Sequence, residues 1–192
     1  LKSATILSGT VRIEAGAFRD NENLSRVIIP DSVKHIGKNA FCGTNIQTVH
    51  IPARITQIGN RAFSKCYRLA SFTGGRGSKY SVIDGVLYNG SMTRLLQYPS
   101  KKTNQVFYVP DSVNTVSGDA FDHTSHLTKL YFGKNLRSLP DDCIYMANHL
   151  KSVIFHANAR KMHYGSYAIS ECSKLAVIVG PNTYTMRAMA RN

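Results

Sequence analysis

Residue types that could perform chemistry are present in this chain, but their spacing predicts neither a metal centre nor an active site. His126 and His149 precede leucines in two similar segments, and His123 is close by. A zinc site needs three or four ligands and an ordered outer shell, and no carboxylate recurs beside these histidines. Asp141 and Asp142 are adjacent, which in a turn gives a solvated edge and not an acid–base pair. We therefore expect loop histidines, no metal and no cofactor.

Motifs for nucleophilic or phosphate chemistry are also missing from the sequence. It contains no Gly-x-Ser-x-Gly, no phosphate-binding loop and no His-Glu-x-x-His. The chain is therefore predicted not to be an enzyme.

Four cysteines occur without a Cys-x-x-Cys pair or zinc-type spacing: Cys42, Cys66, Cys143 and Cys172. Cys66 and Cys172 stand three residues after the same repeated position. Other repeats place small residues there: Asn21, Thr44, Thr124 and Ala147. This column predicts buried and unreactive thiols. A bridge between Cys42 and Cys66 in adjacent repeats stays open.

One phrase of the sequence recurs and organises the whole chain. The segment Asp31-Ser-Val-Lys-His-Ile-Gly-Lys-Asn-Ala-Phe41 returns in related form ending at Phe63 and at Phe121. The aromatic position begins at Phe18 and continues after Phe121 at Ile144 and Ile169. A fixed period of roughly 20 to 25 residues is typical of a solenoid, in which each repeat contacts only its neighbours.

The residue pattern of each repeat predicts a strand followed by a compact turn. In Leu24-Ser-Arg-Val-Ile-Ile-Pro30, alternation predicts that Val27 points inward while Arg26 and Ile28 point outward. Proline after the strand ends the hydrogen-bond ladder. The later Gly-x-x-Ala-Phe phrase predicts a short strand and then one turn of 3₁₀ or α helix. The predicted fold is a right-handed superhelical solenoid with one parallel β-sheet face.

The repeat pattern predicts a single domain over residues 1–192. Regular coils occupy about 1–74 and 111–179, and residues 75–110 form a modified coil with a β-hairpin insertion. The hairpin is assigned to Asn89-Gly90, which lies between two apolar runs. Residues 180–192 are expected to form a C-terminal cap, with Thr183 beginning a short helix. Leu1 opens in mid-repeat, so any export signal is expected before it.

Composition narrows the class of partner. No apolar stretch approaches the ~20 residues of a membrane helix, so no membrane insertion is expected. Lys and Arg number 24 against 11 Asp and Glu, giving a formal charge of +13. Such an excess attracts anionic glycans or nucleic acid. The basic residues are scattered, which is equally typical of a solvated surface.

The outward strand positions are the candidate binding residues. Tyr108, Lys129 and Tyr131 fall on neighbouring strands and have the composition of a binding hot spot. The alternative is that β-branched and aromatic residues simply suit strands. The predicted partner-binding residues are Arg26, Ile28, Thr48, His50, Tyr108, Lys129, Tyr131 and Ile154.

The recurring Ile-Pro-Asp-Ser-Val, Ile-Gly-x-x-Ala-Phe and Cys-x-x-Leu elements resemble the BspA-like leucine-rich repeat family. The insert Ile83-Asp-Gly-Val-Leu-Tyr88 followed by Leu96-Gln-Tyr-Pro99 resembles the variant coil of those proteins. The resemblance covers about residues 1–180. It implies a leucine-rich-repeat solenoid from a secreted or surface-anchored protein of a mucosal bacterium or protozoan.

The resemblance also implies a function in adhesion to host matrix proteins, host cells or other microbes. The first hypothesis is therefore an extracellular module that binds a protein through its sheet face. A second is binding of an anionic glycan, with nucleic acid less favoured, through basic residues of the coil backs such as Arg12, Lys34, Arg137, Arg160 and Lys161. A third is a structural spacer without a partner of its own.

Overall fold

The structure is a computed structural model that describes residues 1–75, 79–156 and 162–180. The chain divides into two compact units. The N-terminal unit comprises Leu1–Ser91 with Pro99–Lys101, and the C-terminal unit comprises Met92–Tyr98 with Lys102–Asn192. The single-domain organisation remains a prediction. Of the predicted cap at 180–192, residues 181–192 lie outside the described residues.

Short strands make up the N-terminal unit. They are β1 (Ser3–Thr5), β2 (Arg12–Ile13), β3 (Arg26–Ile28), β4 (His35–Ile36), β5 (Thr48–Ile51), β6 (Gln57–Ile58), β7 (Ser71–Gly74), β8 (Tyr80–Ile83) and β9 (Val86–Asn89). Strand β1 pairs with β3, β2 with β4, β4 with β6, and β5 with β7, all in parallel. Parallel pairing between successive repeats is the expected solenoid topology.

The C-terminal unit repeats the same arrangement. Its strands are β10 (Arg94–Gln97), β11 (Val106–Tyr108), β12 (Thr115–Val116), β13 (Lys129–Phe132), β14 (Ser138–Leu139), β15 (Ile144–Tyr145), β16 (Ser152–Phe155), β17 (His163–Tyr164), β18 (Ile169–Ser170) and β19 (Val177–Val179). They form three parallel ladders in the orders β11-β13-β16-β19, β10-β12-β14-β17 and β15-β18. Each ladder takes one strand from each successive coil.

Aromatic stacking fills the core between coils. The rings of Phe18 and Phe41 lie 5.2 Å apart, and those of Phe41 and Phe63 lie 5.6 Å apart, in both cases nearly parallel. At Phe18, Phe41 and Phe63 the recurring aromatic position is therefore a column of stacked rings between coils, as the sequence predicts. In the C-terminal unit two strand residues, Phe132 and Phe155, stack in a similar way at 5.0 Å.

The compact turns differ from the expected helical turns. Among the described residues no segment is helical. In the coil around Phe41, Ala40 and Cys42 donate to carbonyls three residues earlier, while Phe41 donates to Ala62 of the next coil. Asn39 and Gly43 have positive φ of 56° and 74°. A left-handed residue at every fourth position interrupts a helix and produces successive β-turns instead. The helical expectation is wrong here, whereas the preceding short strands are confirmed.

The β-hairpin insertion is confirmed, and it contains a tight turn at Asp84-Gly85. Strands β8 and β9 are antiparallel and Ile83 faces Val86, so Asp84 and Gly85 form a two-residue loop. Both have positive φ, 48° and 75°, as a type I′ turn requires. Asn89-Gly90 follows at the end of β9. Asp-Gly between two strand-forming runs is as strong a hairpin signal as Asn-Gly.

The repeated glycine after the second strand permits close contact between coils. A β-carbon at Gly37 would lie 2.6 Å from the carbonyl carbon of Glu14, and one at Gly59 would lie 2.7 Å from that of Gly37. Both separations are well below van der Waals contact. Glycine is therefore required by close packing of neighbouring backbones.

All four cysteines are buried free thiols. The Cys66 thiol lies 3.4 Å from the Thr44 hydroxyl, so the predicted column of small residues is confirmed there. Cys42 and Cys66 are not bridged. Burial raises the pKa of Cys66 to about 12 and that of Cys172 to about 11. Burial also raises the pKa of Cys143.

We predict that Gly59→Ala destabilises the protein by about 1–3 kcal/mol, because the added methyl group must push two coil backbones apart. Gly118→Ala is the matched control, since its β-carbon would meet only the Asp141 carbonyl oxygen, at 3.3 Å. Denaturant-induced unfolding measures both. Equal destabilisation by the two substitutions would contradict the close-packing explanation.

We also predict that the native protein resists thiol alkylation at about pH 8. Burial raises the pKa values of Cys66, Cys143 and Cys172, so these thiols stay protonated at that pH, and all four sulfurs are inaccessible to the reagent. All four cysteines should react once the chain is unfolded in denaturant. Mass spectrometry after iodoacetamide treatment counts the modified thiols. Rapid native labelling of Cys66 would show that this site is open to solvent.

Candidate binding surface

The ladder β11-β13-β16-β19 presents two rows of outward side chains. Leu130, Val153 and Ile178 are buried, so their neighbours along each strand point away from the core. Strand pairing brings equivalent positions of successive coils side by side. The register between the strands therefore aligns residues that are distant in sequence in continuous rows.

The first row is aromatic and aliphatic throughout. Tyr108 pairs with Tyr131, Tyr131 with Ile154, and Ile154 with Val179. The two tyrosine rings stack with centroids 4.6 Å apart and an interplanar angle of 16°. Tyr108 is 66% exposed and Val179 is 48% exposed, while Tyr131 and Ile154 are half-buried. We call these four residues the apolar row.

The second row is mixed in character. Val106, Lys129, Ser152 and Val177 are aligned across the same four strands. Lys129 is exposed, as are Val106 and Val177. The structure therefore places Tyr108, Lys129 and Tyr131 on neighbouring strands of one face, as the alternation pattern predicts.

A shallow groove of about 400 Å³ continues the apolar row at the carboxyl ends of the strands. Tyr108, Tyr131 and Ile154 form one side of it, and Asp111 and His156 contribute polar groups. Alternation along the strands does not predict this groove. Its signal in the sequence is the Val-Pro-Asp phrase that follows β11.

A paired carboxylate lies in the groove. One oxygen of Asp111 accepts a hydrogen bond of 3.1 Å from the backbone N–H of Lys134, and the other lies 3.4 Å from the Lys134 Nζ. The backbone N–H, followed by the Lys134 charge, lowers the pKa of Asp111 below its ordinary value. This carboxylate is thus ionised and already compensated by a cation.

The other four predicted residues lie in the N-terminal unit and also point outward. Arg26 and Ile28 are exposed on β3, with Ile28 at 46%. Thr48 and His50 are exposed on β5. The His50 ring nitrogen lies 3.2 Å from the hydroxyl of Thr73 on the neighbouring strand. This set lacks stacked aromatic rings and is more polar than the apolar row.

Three of the basic residues named for the coil backs lie within the described residues: Arg12, Lys34 and Arg137. Arg12 lies 3.8 Å from Glu14, a partly neutralising carboxylate. Arg137 is exposed beside β14. Arg160 and Lys161 lie outside the described residues.

The carboxylate and histidine side chains that could perform chemistry make hydrogen bonds and packing contacts with neighbouring residues. The Asp141 carboxylate accepts a hydrogen bond of 2.9 Å from the Tyr167 backbone N–H. The ring of His123 bonds the buried carboxylate of Asp122 and packs edge-on against Tyr145. Within 1–75, 79–156 and 162–180, no three His, Cys, Asp or Glu side chains cluster in a way that could hold a metal ion. Nor do these residues form a helix long and apolar enough to cross a membrane.

Comparison with known structures supports the solenoid assignment. A leucine-rich cell surface protein from Faecalibacterium prausnitzii is 25% identical, with a TM-score of 0.69, and the match covers 100% of this chain and 63% of that one. The pneumococcal vaccine antigen PcpA matches at 21% identity and a TM-score of 0.79, covering 94% of this chain and 51% of that one. A leucine-rich repeat protein of T. pallidum matches at 20% identity and a TM-score of 0.56, covering 98% and 83% of the two chains. The last two similarities show the fold alone.

This chain spans 63% of the first of these structures and 51% of the second. No curated protein matches the sequence. The profile of the BspA type leucine-rich repeat region matches residues 1–106 and 98–188, in six copies. Stacked parallel coils, the recurring phrase and this match agree, and the chain belongs to the BspA-type leucine-rich repeat family.

Proposed function

We propose that this chain is a non-catalytic, protein-binding module of a secreted or cell-surface adhesin. Its partners are host matrix proteins, host cell-surface proteins or proteins of other microbes. Membership of the BspA-type family and the likeness to a bacterial cell surface protein support an extracellular location. The binding site is the outward face of β11-β13-β16-β19.

The observation that carries this proposal is the exposed tyrosine stack of the apolar row. Tyr108 and Tyr131 hold each other in place through ring stacking at 4.6 Å. Tyrosines concentrate at binding hot spots because they bury a large area at a small entropic cost. Rings held rigidly before binding lose little further freedom when a partner docks.

The aliphatic members of the row strengthen this argument. Val179 is 48% exposed on β19, beside Ile154 on β16, and Val177 of the second row is 41% exposed on the same strand. Contiguous exposed apolar side chains on a soluble domain favour an interaction site. A strand serving only the core would keep polar residues on its solvent face.

Binding of an anionic glycan is the second candidate, and the formal charge of +13 favours it. Such binding releases counterions and therefore weakens steeply with added salt. Burial of aromatic rings gives binding that tolerates salt much better, so salt dependence separates the two candidates.

We predict that Tyr108→Ala combined with Tyr131→Ala weakens binding to a protein partner by about tenfold or more, the loss of at least one hot-spot contact. Binding to a panel of immobilised extracellular-matrix and host cell-surface proteins, and to heparin, would be measured at about 50 and 200 mM salt. The double variant should retain its heparin binding.

Tyr167→Ala is the matched control, because Tyr167 is 59% exposed in the same unit but lies in a turn away from these strands. Thermal unfolding checks that each variant remains folded. Equal losses in the control and the double variant would reject the apolar row as the site. Binding to heparin alone, abolished at the higher salt, would favour the glycan candidate. Absence of any binding would favour a spacer.

A further inference from the structure

Cations border the apolar row on its amino-terminal side. Lys129 points outward on β13, and exposed Lys151 immediately precedes β16. Three further exposed residues that carry or can carry positive charge precede the strands β13, β16 and β19: His126, His149 and Lys174. The sequences of β11, β13, β16 and β19 contain no carboxylate. A partner therefore meets positive charge next to apolar surface.

Negative charge in the C-terminal unit lies elsewhere. The turn segments hold its other described carboxylates: Asp119, Asp122, Asp141, Asp142 and Glu171. Asp111 in the groove is the exception, and Lys134 already compensates it through both its backbone N–H and its ammonium group. The sheet face is consequently complementary to an anionic partner and repels a basic one.

The spacing of the rows restricts the shape of that partner. Positions two residues apart along a strand are about 7 Å apart, so the apolar row and the Lys129 row run parallel at about that separation. The face crosses four strands, or about 14 Å. An extended peptide of four to five residues spans that distance at about 3.3 Å per residue. Its side chains alternate between the apolar row on one side and, on the other, the Lys129 row together with Lys151, which directly precedes Ser152 of that row.

We propose that the segment bound by this face is an extended acidic polypeptide with interspersed apolar side chains. Its apolar groups pack on Tyr108, Tyr131 and Ile154, and its carboxylates pair with Lys129 and Lys151. This inference rests on the proposed function and specifies the chemistry of the partner. A purely anionic chain would make no contact with the apolar row. A basic chain would be repelled by the like charges of Lys129 and Lys151.

A set of synthetic polypeptides tests this chemistry on the intact chain. The probes are a random glutamate–tyrosine copolymer, polyglutamate, a lysine–tyrosine copolymer and heparin, with affinities measured by biolayer interferometry. We expect the glutamate–tyrosine copolymer to bind best of the three polypeptides. Lys129→Gln with Lys151→Gln should weaken that binding about tenfold, consistent with two partly exposed ion pairs. Tyr108→Ala with Tyr131→Ala should weaken it as well.

Lys34→Gln with Lys38→Gln is the matched control. It removes the same charge from exposed positions in the N-terminal unit. An equal loss in this control would overturn the proposal, because net charge alone would then explain binding. Equal or stronger binding of the lysine–tyrosine copolymer would also overturn it. Heparin binding that depends on Lys129 and Lys151, without copolymer binding, would reject a polypeptide partner in favour of a glycan.

The same variants separate this inference from the proposed function. If a panel protein binds through the tyrosines while the Lys129 and Lys151 substitutions have no effect, the adhesin proposal stands and the acidic partner is rejected. If the tyrosine substitutions have no effect on any bound protein, both are rejected.

Discussion

Main-chain hydrogen bonding between successive coils is the interaction on which the rest of this structure depends. Phe18 donates to Ala40, and Phe41 donates to Ala62, with N···O distances of 2.8 and 2.9 Å. Buried backbone groups must find partners, and here the neighbouring coil supplies them. The same bonds set the vertical register, which aligns every core side chain above its equivalent. Aromatic stacking then follows from the alignment.

The candidate binding surface follows from this register. A strand must present alternate residues to solvent, and parallel pairing aligns those residues across coils. Tyr108, Tyr131 and Ile154 become neighbours although whole coils separate them in sequence. Their identities can change without disturbing the core, since the buried residues and the hydrogen bonds carry the stability. Fold and ligand choice are thereby largely independent.

The sequence predicted this fold well because the same pattern of buried and exposed positions recurs in each repeat. Alternation identified Val27 as buried and Ile28 as exposed, and the structure confirms both. The conformation of the compact turns was harder to predict. Asn39 and Arg61 adopt positive φ, but only glycine is a clear sequence signal for that conformation. Ile144 and Ile169 kept the core position while forming the additional ladder β15-β18. β-Branched residues such as isoleucine favour strands, and the repeat pattern with phenylalanine at this position does not predict a strand there.

The candidate site was predictable only in part, for a related reason. Period-two alternation supplied the outward residues, but stacking of Tyr108 on Tyr131 required the register between two coils. The groove at Asp111 depends on where chains turn after the strands, and alternation says nothing about turns. Compensation of Asp111 by Lys134 likewise comes from the next coil. Sequence patterns describe a coil by itself, whereas sites form between coils.

The unbridged cysteines have a mechanical consequence for a stack of coils. No covalent cross-link joins one coil to another, since all four sulfurs are free thiols. A force applied along the stacking direction loads the hydrogen bonds between coils in tension. Within each unit such a load separates a terminal coil before its neighbours, because every coil is held only by the adjacent ones. Stepwise peeling dissipates work and limits the peak force that the stack transmits.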